Sequence, residues 1–244
     1  MRTHYGSYPL LYKDHGVVEV ATSKPLKILA IPDLHAPFQH PRALSFLAGL
    51  KKKLDPDVVV CLGDELDQCA LSFHDKDPNM MGGKEEREAG MRFMHDLYAL
   101  FPYVLVCESN HTSRPYRLAN KIGLPDIYMR EYNEIMQAPP SWSWHQRIII
   151  NNVCYIHGDP KSGANAAKAW AFENRMSTVI GHIHGWGCVH YSSSPFNQIF
   201  WVNSGCLIDP QAMAFRYGSK YANKATLGAS IIIGGHKAYF EPLS

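Results

Sequence analysis

Three short apolar runs, Leu26 to Ile31, Val58 to Leu62 and Tyr103 to Cys107, each stop abruptly at residues with oxygen or imidazole donors. The first is followed by Asp33-Leu34-His35, the second by Gly63-Asp64 and the third by Ser109-Asn110-His111. An apolar run of this length, bounded by turn residues, reads as a buried strand. Repeated strand and helix units build a parallel sheet, and its functional groups gather outside the carboxyl ends of the strands. The chain is therefore expected to bring these donors together at one edge.

The spacing between the runs supports that reading. Pro41 suits a first helical position, and Leu44, Leu47, Leu50 and Leu54 give one apolar face. Beyond a polar loop from Asp75 to Lys84, the stretch Glu85 to Phe101 predicts a second helix. Its first turn is acidic, and Met91, Met94, Tyr98 and Phe101 share one face. In the second half Arg147 to Ile156, Ser177 to Ile180, Gln198 to Val202, Ala229 to Ile233 and Lys237 to Phe240 are strand-like, with a helix expected from Ala164 to Phe172. These elements predict an α/β fold of two packed mixed sheets with helices outside.

No Gly, Ser or Pro linker separates the halves, so residues 1–244 are read as a single domain. The chain is 46% hydrophobic and 19% charged, a balance that excludes a disordered or fibrous protein. A net charge of +2 and a pI near 8.2 exclude a protein that coats nucleic acid and leave only a local basic patch for that role. The six cysteines contain no C-x-x-C pair, and four lie in apolar runs, which favours a reducing compartment. The N-terminus lacks the apolar core of a signal peptide, and no segment approaches the roughly 18 apolar residues that span a bilayer. A cytoplasmic protein without a membrane partner is expected.

Two further fragments, His157-Gly158 and Gly181-His182-Ile183-His184, also follow strand-like runs. Taken singly, each fragment has an ordinary explanation: Asp33 as a helix cap, Gly63-Asp64 as a tight turn, Asn110 as a turn residue, His182 and His184 as a turn pair. Together they mix carboxylate and amide oxygens with imidazole nitrogens and include no thiolate. That donor set suits manganese, iron or zinc in a hydrolytic centre better than a structural zinc site.

In order, D-x-H, G-D, N-H, H and G-H-x-H over Asp33 to His184 resemble the calcineurin-like metallophosphoesterase superfamily. The resemblance implies a four-layer αββα sandwich and two divalent metal ions, manganese in the first place, with iron, zinc or nickel open. It implies that Asp33, His35 and His184 hold one metal, that Asn110, His157 and His182 hold the other, and that Asp64 bridges them. Two cations about 3.5–4 Å apart can clamp both the attacking and the departing oxygen of a phosphate. In the family's mechanism a metal-bridging hydroxide attacks phosphorus, and the free histidine, here His111, donates a hydrogen bond or a proton to the substrate. Ser109 stands where the family usually has glycine, and Thr112 where an acidic residue often follows, which leaves the group that orients His111 open. By likeness to the G-D-x-x-D form of the second motif, Asp67 is assigned that role.

Arg114 and Arg117 can hold phosphate oxygens in a bidentate way or belong to a solvated helix face. His74, in the loop Ser72 to Asp77, is a candidate substrate contact on the rim. The tract Phe215 to Lys224 interleaves aromatic and basic residues as single-strand nucleic-acid surfaces do, and Trp142 and Trp144 either stack on a base or pack against the core. The expected activity is metal-dependent hydrolysis of a phosphate ester, a diester of a nucleotide or nucleic acid ahead of a monoester. A non-catalytic protein-binding module on the same fold is the alternative of another class, and it would be expected to have lost ligands.

Overall fold

The computed structural model describes residues 16–73, 79–212 and 224–244. Strands β1 (Val17–Val20), β6 (Arg147–Ile150), β7 (Val153–Ile156), β8 (Ser177–Ile180), β10 (Gln198–Ser204) and β9 (Gly187–Ser193) lie side by side in that order in one six-stranded sheet. The second six-stranded sheet has the order β12 (Lys237–Pro242), β11 (Gly228–Ile233), β2 (Lys27–Ile31), β3 (Val58–Cys61), β4 (Val104–Cys107) and β5 (Trp142–His145). Both are mixed: β2 to β5 run parallel, whereas β11 and β12 are antiparallel additions. In the other sheet β7, β8 and β10 run parallel.

Strand β2 shows why the sheets stack as they do. Successive side chains point to opposite faces. Ile28 and Ala30 therefore enter the layer between the sheets with Val60, Leu62, Tyr155, Val179 and Val202. Leu29 and Ile31 face outward against helices α1 (Ala43–Leu54) and α2 (Gly83–Leu100), where Leu47, Leu50, Met91, Met94 and Leu97 are buried. On the far side α5 (Ala166–Asn174) covers the other sheet through Ala167, Trp170, Ile180 and Ile156. Helix, sheet, sheet and helix make the four layers that the family resemblance implies.

Local differences have local causes. Helix α1 begins at Ala43, not at Pro41. The run read as one strand from Arg147 to Ile156 is a hairpin, broken at Asn151 and Asn152, whose φ angles of 48° and 62° form the tight turn. Trp142 and Trp144 are 2% and 1% exposed on β5 and donate their indole N–H groups to the Phe101 carbonyl and the Glu65 carboxylate, so neither can stack on a base. Helices α3 (Arg114–Lys121) and α4 (Tyr132–Ile135) lie between β4 and β5. Among the described residues no helix is long and apolar enough to cross a membrane.

Candidate metal centre

The parallel strands of both sheets end at the same edge, and the side chains that follow them converge. Asp33 and His35 follow β2, Asp64 follows β3, Asn110 follows β4, His157 follows β7, and His182 and His184 follow β8. His35, Asp64 and His182 have φ angles of 50°, 50° and 62°. A non-glycine residue held in this left-handed region costs roughly 1–3 kcal/mol, and such strain collects where the fold must aim a side chain. Gly63 at φ 95° makes the turn that a side chain could not, because a Cβ there would lie 2.7 Å from Ser109 Cβ and 2.8 Å from the Cys107 carbonyl.

One set of donors consists of Asp33, His35 and His184. The two histidine Nε2 atoms lie 3.2 Å apart, and His184 Nε2 is 3.0 Å from Asp33 Oδ2. A second set consists of Asp64, His157 and His182, with His157 Nε2 3.2 Å from His182 Nδ1 and 2.8 Å from Asn110 Oδ1. Asp64 Oδ2 stands between them, 3.3 Å from His35 Nε2 and 3.4 Å from His157 Nε2. All seven expected ligands are thus in one cluster, with Asp64 in the middle.

The surroundings fix which way the rings face. His157 Nδ1 donates to the Leu62 carbonyl at 2.8 Å, and His35 Nδ1 donates to Asp67 Oδ1 at 2.7 Å, which turns both Nε2 atoms toward Asp64. The His182 N–H donates to Asp33 Oδ2 at 2.8 Å. Gly181 is required beside it, since a Cβ there would lie 2.2 Å from Asp33 Oδ1.

The donor set fits divalent cations. Asp33 is fully buried, and its Oδ1 has no hydrogen-bond partner among the described residues, an expensive arrangement for a carboxylate unless a cation lies nearby. Burial opposes a charge on His35, but hydrogen bonds and charge from Asp64 and Asp67 overcome it and raise the imidazole to about 10. Burial likewise opposes a charge on His157, and Asp64 above all raises it to about 10. Burial also works against ionised Asp64, yet the neighbouring histidines hold it well below the usual carboxylate range. The cluster is built to attract positive charge.

His111 lies beside the ligands, its Nε2 3.8 Å from Asp64 Oδ2. The carboxylate expected to orient it does something else: Asp67 Oδ1 is 3.6 Å from His111 Nδ1 and bonds His35 instead. The Asp67 backbone carbonyl accepts from His111 Nδ1 at 2.5 Å. Arg114 donates to the same carbonyl through Nη1 at 2.5 Å and to His111 Nε2 through Nη2 at 2.9 Å. Burial, with the charges of His35 and Arg114 added, lowers the His111 pKa to about 3 against the pull of Asp64, so the ring is neutral near pH 7.

Arg117 sits farther along α3 with its guanidinium 4.9 Å from the Phe73 ring, outside the ligand cluster. His74 and, apart from Lys224, the tract from 215 to 224 lie outside the described residues. The two departures from the family pattern are also explained. Ser109 Oγ accepts the N–H groups of Asp64 and Thr112, each at 3.1 Å, and lies 2.8 Å from Thr112 Oγ1, so a serine and threonine pair braces the central aspartate. Gln68, not singled out in the sequence, donates to the His111 carbonyl at 3.2 Å and to the Tyr132 hydroxyl at 3.0 Å. Its polarity alone gave no signal.

The family model described as calcineurin-like phosphoesterase matches residues 26–239. No curated protein matches the chain. Among solved structures, vacuolar protein sorting 29 from Cryptosporidium parvum is similar at 14% identity and a TM-score of 0.46, over 90% of this chain and 92% of that one. Vps29 from Chaetomium thermophilum is similar at 13% identity and a TM-score of 0.38, over 89% and 97%.

Proposed function

The chain belongs to the calcineurin-like phosphoesterase family, and on that premise we propose that it is a two-metal phosphoesterase acting on diesters of nucleotides or nucleic acid. The observation that carries this reading is the convergence of Asp33, His35 and His184 with Asp64, Asn110, His157 and His182 on one edge of the two sheets. Seven buried or half-buried donors kept at such distances favour this reading over a binding module without catalysis, which would be expected to have lost ligands. Asp33, His35 and His184 would hold one cation, Asn110, His157 and His182 the other, and Asp64 both.

When bound, two divalent ions supply Lewis acidity toward water and the phosphoryl oxygens. The chain's own groups do the rest. Asp67 and the Leu62 carbonyl fix the tautomers of His35 and His157. Arg114, aligned by His111 and the Asp67 carbonyl, presents a guanidinium where charge develops on the phosphoryl group. The preference for a diester rests on Arg114 and Arg117, which extend positive charge away from the centre along α3. A monoester needs no such extension.

The test is turnover of bis(p-nitrophenyl) phosphate, p-nitrophenyl phosphate and single-stranded DNA with added manganese, then iron, zinc and nickel. Metal-dependent cleavage of the diesters, abolished in Asp64→Asn, is expected. Turnover in chelator, or undiminished in Asp64→Asn, overturns the two-metal reading, and a faster monoester reaction overturns the diester preference.

A further inference from the structure

Helix α3 carries three cations and no acidic residue. Arg114, Arg117 and Lys121 fall at i, i+3 and i+7, so at about 100° per residue they share one face and span about 10 Å along the axis. The first of them touches His111 beside the metal ligands. The other two converge on one aromatic ring, with Arg117 Cζ 4.9 Å and Lys121 Nζ 5.2 Å from the centroid of Phe73. Phe73 remains 41% exposed. The stripe therefore starts at the reaction centre, runs outward in steps of one helical turn and is accompanied by a ring open to solvent.

We propose that single-stranded nucleic acid lies along this face, with the reacting diester at the ligand cluster, the following phosphates on Arg117 and Lys121, and a base against Phe73. This rests on the phosphodiesterase reading, narrows its substrate to single-stranded nucleic acid and adds the path the strand takes. The Cβ atoms of residues three and four apart on a helix lie about 5–6 Å from one another, so the row offers the successive phosphates of an extended strand one cation after the next. Base stacking on an exposed ring beside such a row is how single strands are held without sequence preference. An anionic bilayer is the competing partner, because Ile122, Leu124, Ile127 and Tyr128 are exposed beyond the end of α3. A bilayer does not explain why the stripe leads into a phosphate-ester site.

The experiment measures binding of a labelled oligothymidylate of about ten nucleotides by fluorescence anisotropy, in chelator, across a range of salt concentrations. Each phosphate contact on a single strand contributes about 0.7 to the slope of log affinity against log salt. The Arg117→Ala/Lys121→Ala double variant is expected to flatten the slope by about 1.4. Phe73→Ala should weaken binding about tenfold with the slope unchanged. Lys52→Ala, which removes a charge from the exposed side of α1, should leave both as in the parent. A double variant indistinguishable from Lys52→Ala overturns the track, as does displacement of the strand by phosphatidylserine vesicles in preference to unlabelled oligonucleotide. Hydrolysis plays no part in the measurement. A protein that binds the strand in this way but cleaves no diester keeps the track and loses the enzyme reading, and the reverse result does the opposite.

Discussion

Arg114 Nη2 donates to Nε2 of His111 at 2.9 Å, while Nδ1 of the same ring donates to the Asp67 carbonyl at 2.5 Å. The hydrogen-bond network assigns His111 to the Nδ1–H tautomer, and its Nε2 is an acceptor occupied by a guanidinium. On the proposed function, the donor presented to a substrate would be Arg114, with His111 setting its direction.

Removing the guanidinium should therefore cost as much as removing the ring. Arg114→Ala is expected to lower kcat about a hundredfold, the usual loss for one donor aimed at developing charge. His111→Ala should lose activity on a similar scale while keeping its full metal content, measured by mass spectrometry, because it deletes no ligand. Arg114→Lys should recover little, since an ammonium cannot reach both the ring and the carbonyl as the fork does. A metal content in His111→Ala as low as that of Asp64→Asn would show that His111 is a ligand after all.

Cation binding should stabilise the fold. A ligand at a hundred times its dissociation constant adds about 2.7 kcal/mol to a protein that binds it only when folded. Manganese is thus expected to raise the Tm of the parent chain by several degrees in differential scanning fluorimetry. Asp64→Asn removes the negative charge and one acceptor oxygen from the carboxylate whose Oδ2 lies 3.3 Å from His35 Nε2 and 3.4 Å from His157 Nε2, and its Tm should not respond.

Gly181→Ala is the smallest change that should disable the centre. Its Cβ would lie 2.2 Å from Asp33 Oδ1 and 3.3 Å from Leu62 Cβ, so the aspartate or the strand end must move. We expect a loss of about 1–3 kcal/mol in chemical denaturation, as for other overpacked sites. Metal affinity should fall alongside it. Unaltered affinity by calorimetry would show that Asp33 has more freedom than its buried setting implies.

A pH-dependent contribution comes from Glu86. Its carboxylate accepts the N–H groups of Cys69 and Ala70 at 2.6 and 2.9 Å, yet burial outweighs those bonds and raises its pKa above the usual range. The sign follows from linkage: the folded protein holds this proton more tightly than the unfolded chain does. The associated stability is full below the unfolded pKa of about 4.3 and is lost as the pH rises through the folded value. Glu86→Gln is expected to be less stable than the parent, with the deficit largest in acid and shrinking toward pH 8. A deficit that grows with pH in urea titrations would reverse the assignment.

Much of the fold was legible because β2, β3 and β4 are buried on both faces and read as unbroken apolar runs. The ligand fragments were legible for a related reason, since each begins where a run stops. Strand β9 gave no such signal: it lies at the edge of its sheet and is largely polar and half-exposed. The short strand β5 hides behind Pro139 and Pro140, and its tryptophans read equally well as loop residues. Within the centre, the choice of Asp67 between His35 and His111 could not be read from spacing. Left-handed backbone at His35, Asp64 and Gln68 aims these side chains, and none of the three is a glycine that would advertise it.

The donors are divided between the two sheets: Asp33, His35, Asp64 and Asn110 follow strands of one, and His157, His182 and His184 follow strands of the other. A cation held there would be gripped from both sides and would fasten the seam, at one rim of an interface that Ile28, Val60, Tyr155 and Val179 otherwise close by packing alone. Its affinity then gauges how well the two layers are aligned. Substitutions deep in that seam, such as Val202→Ala, would be felt at the rim as weaker metal binding although they touch no ligand.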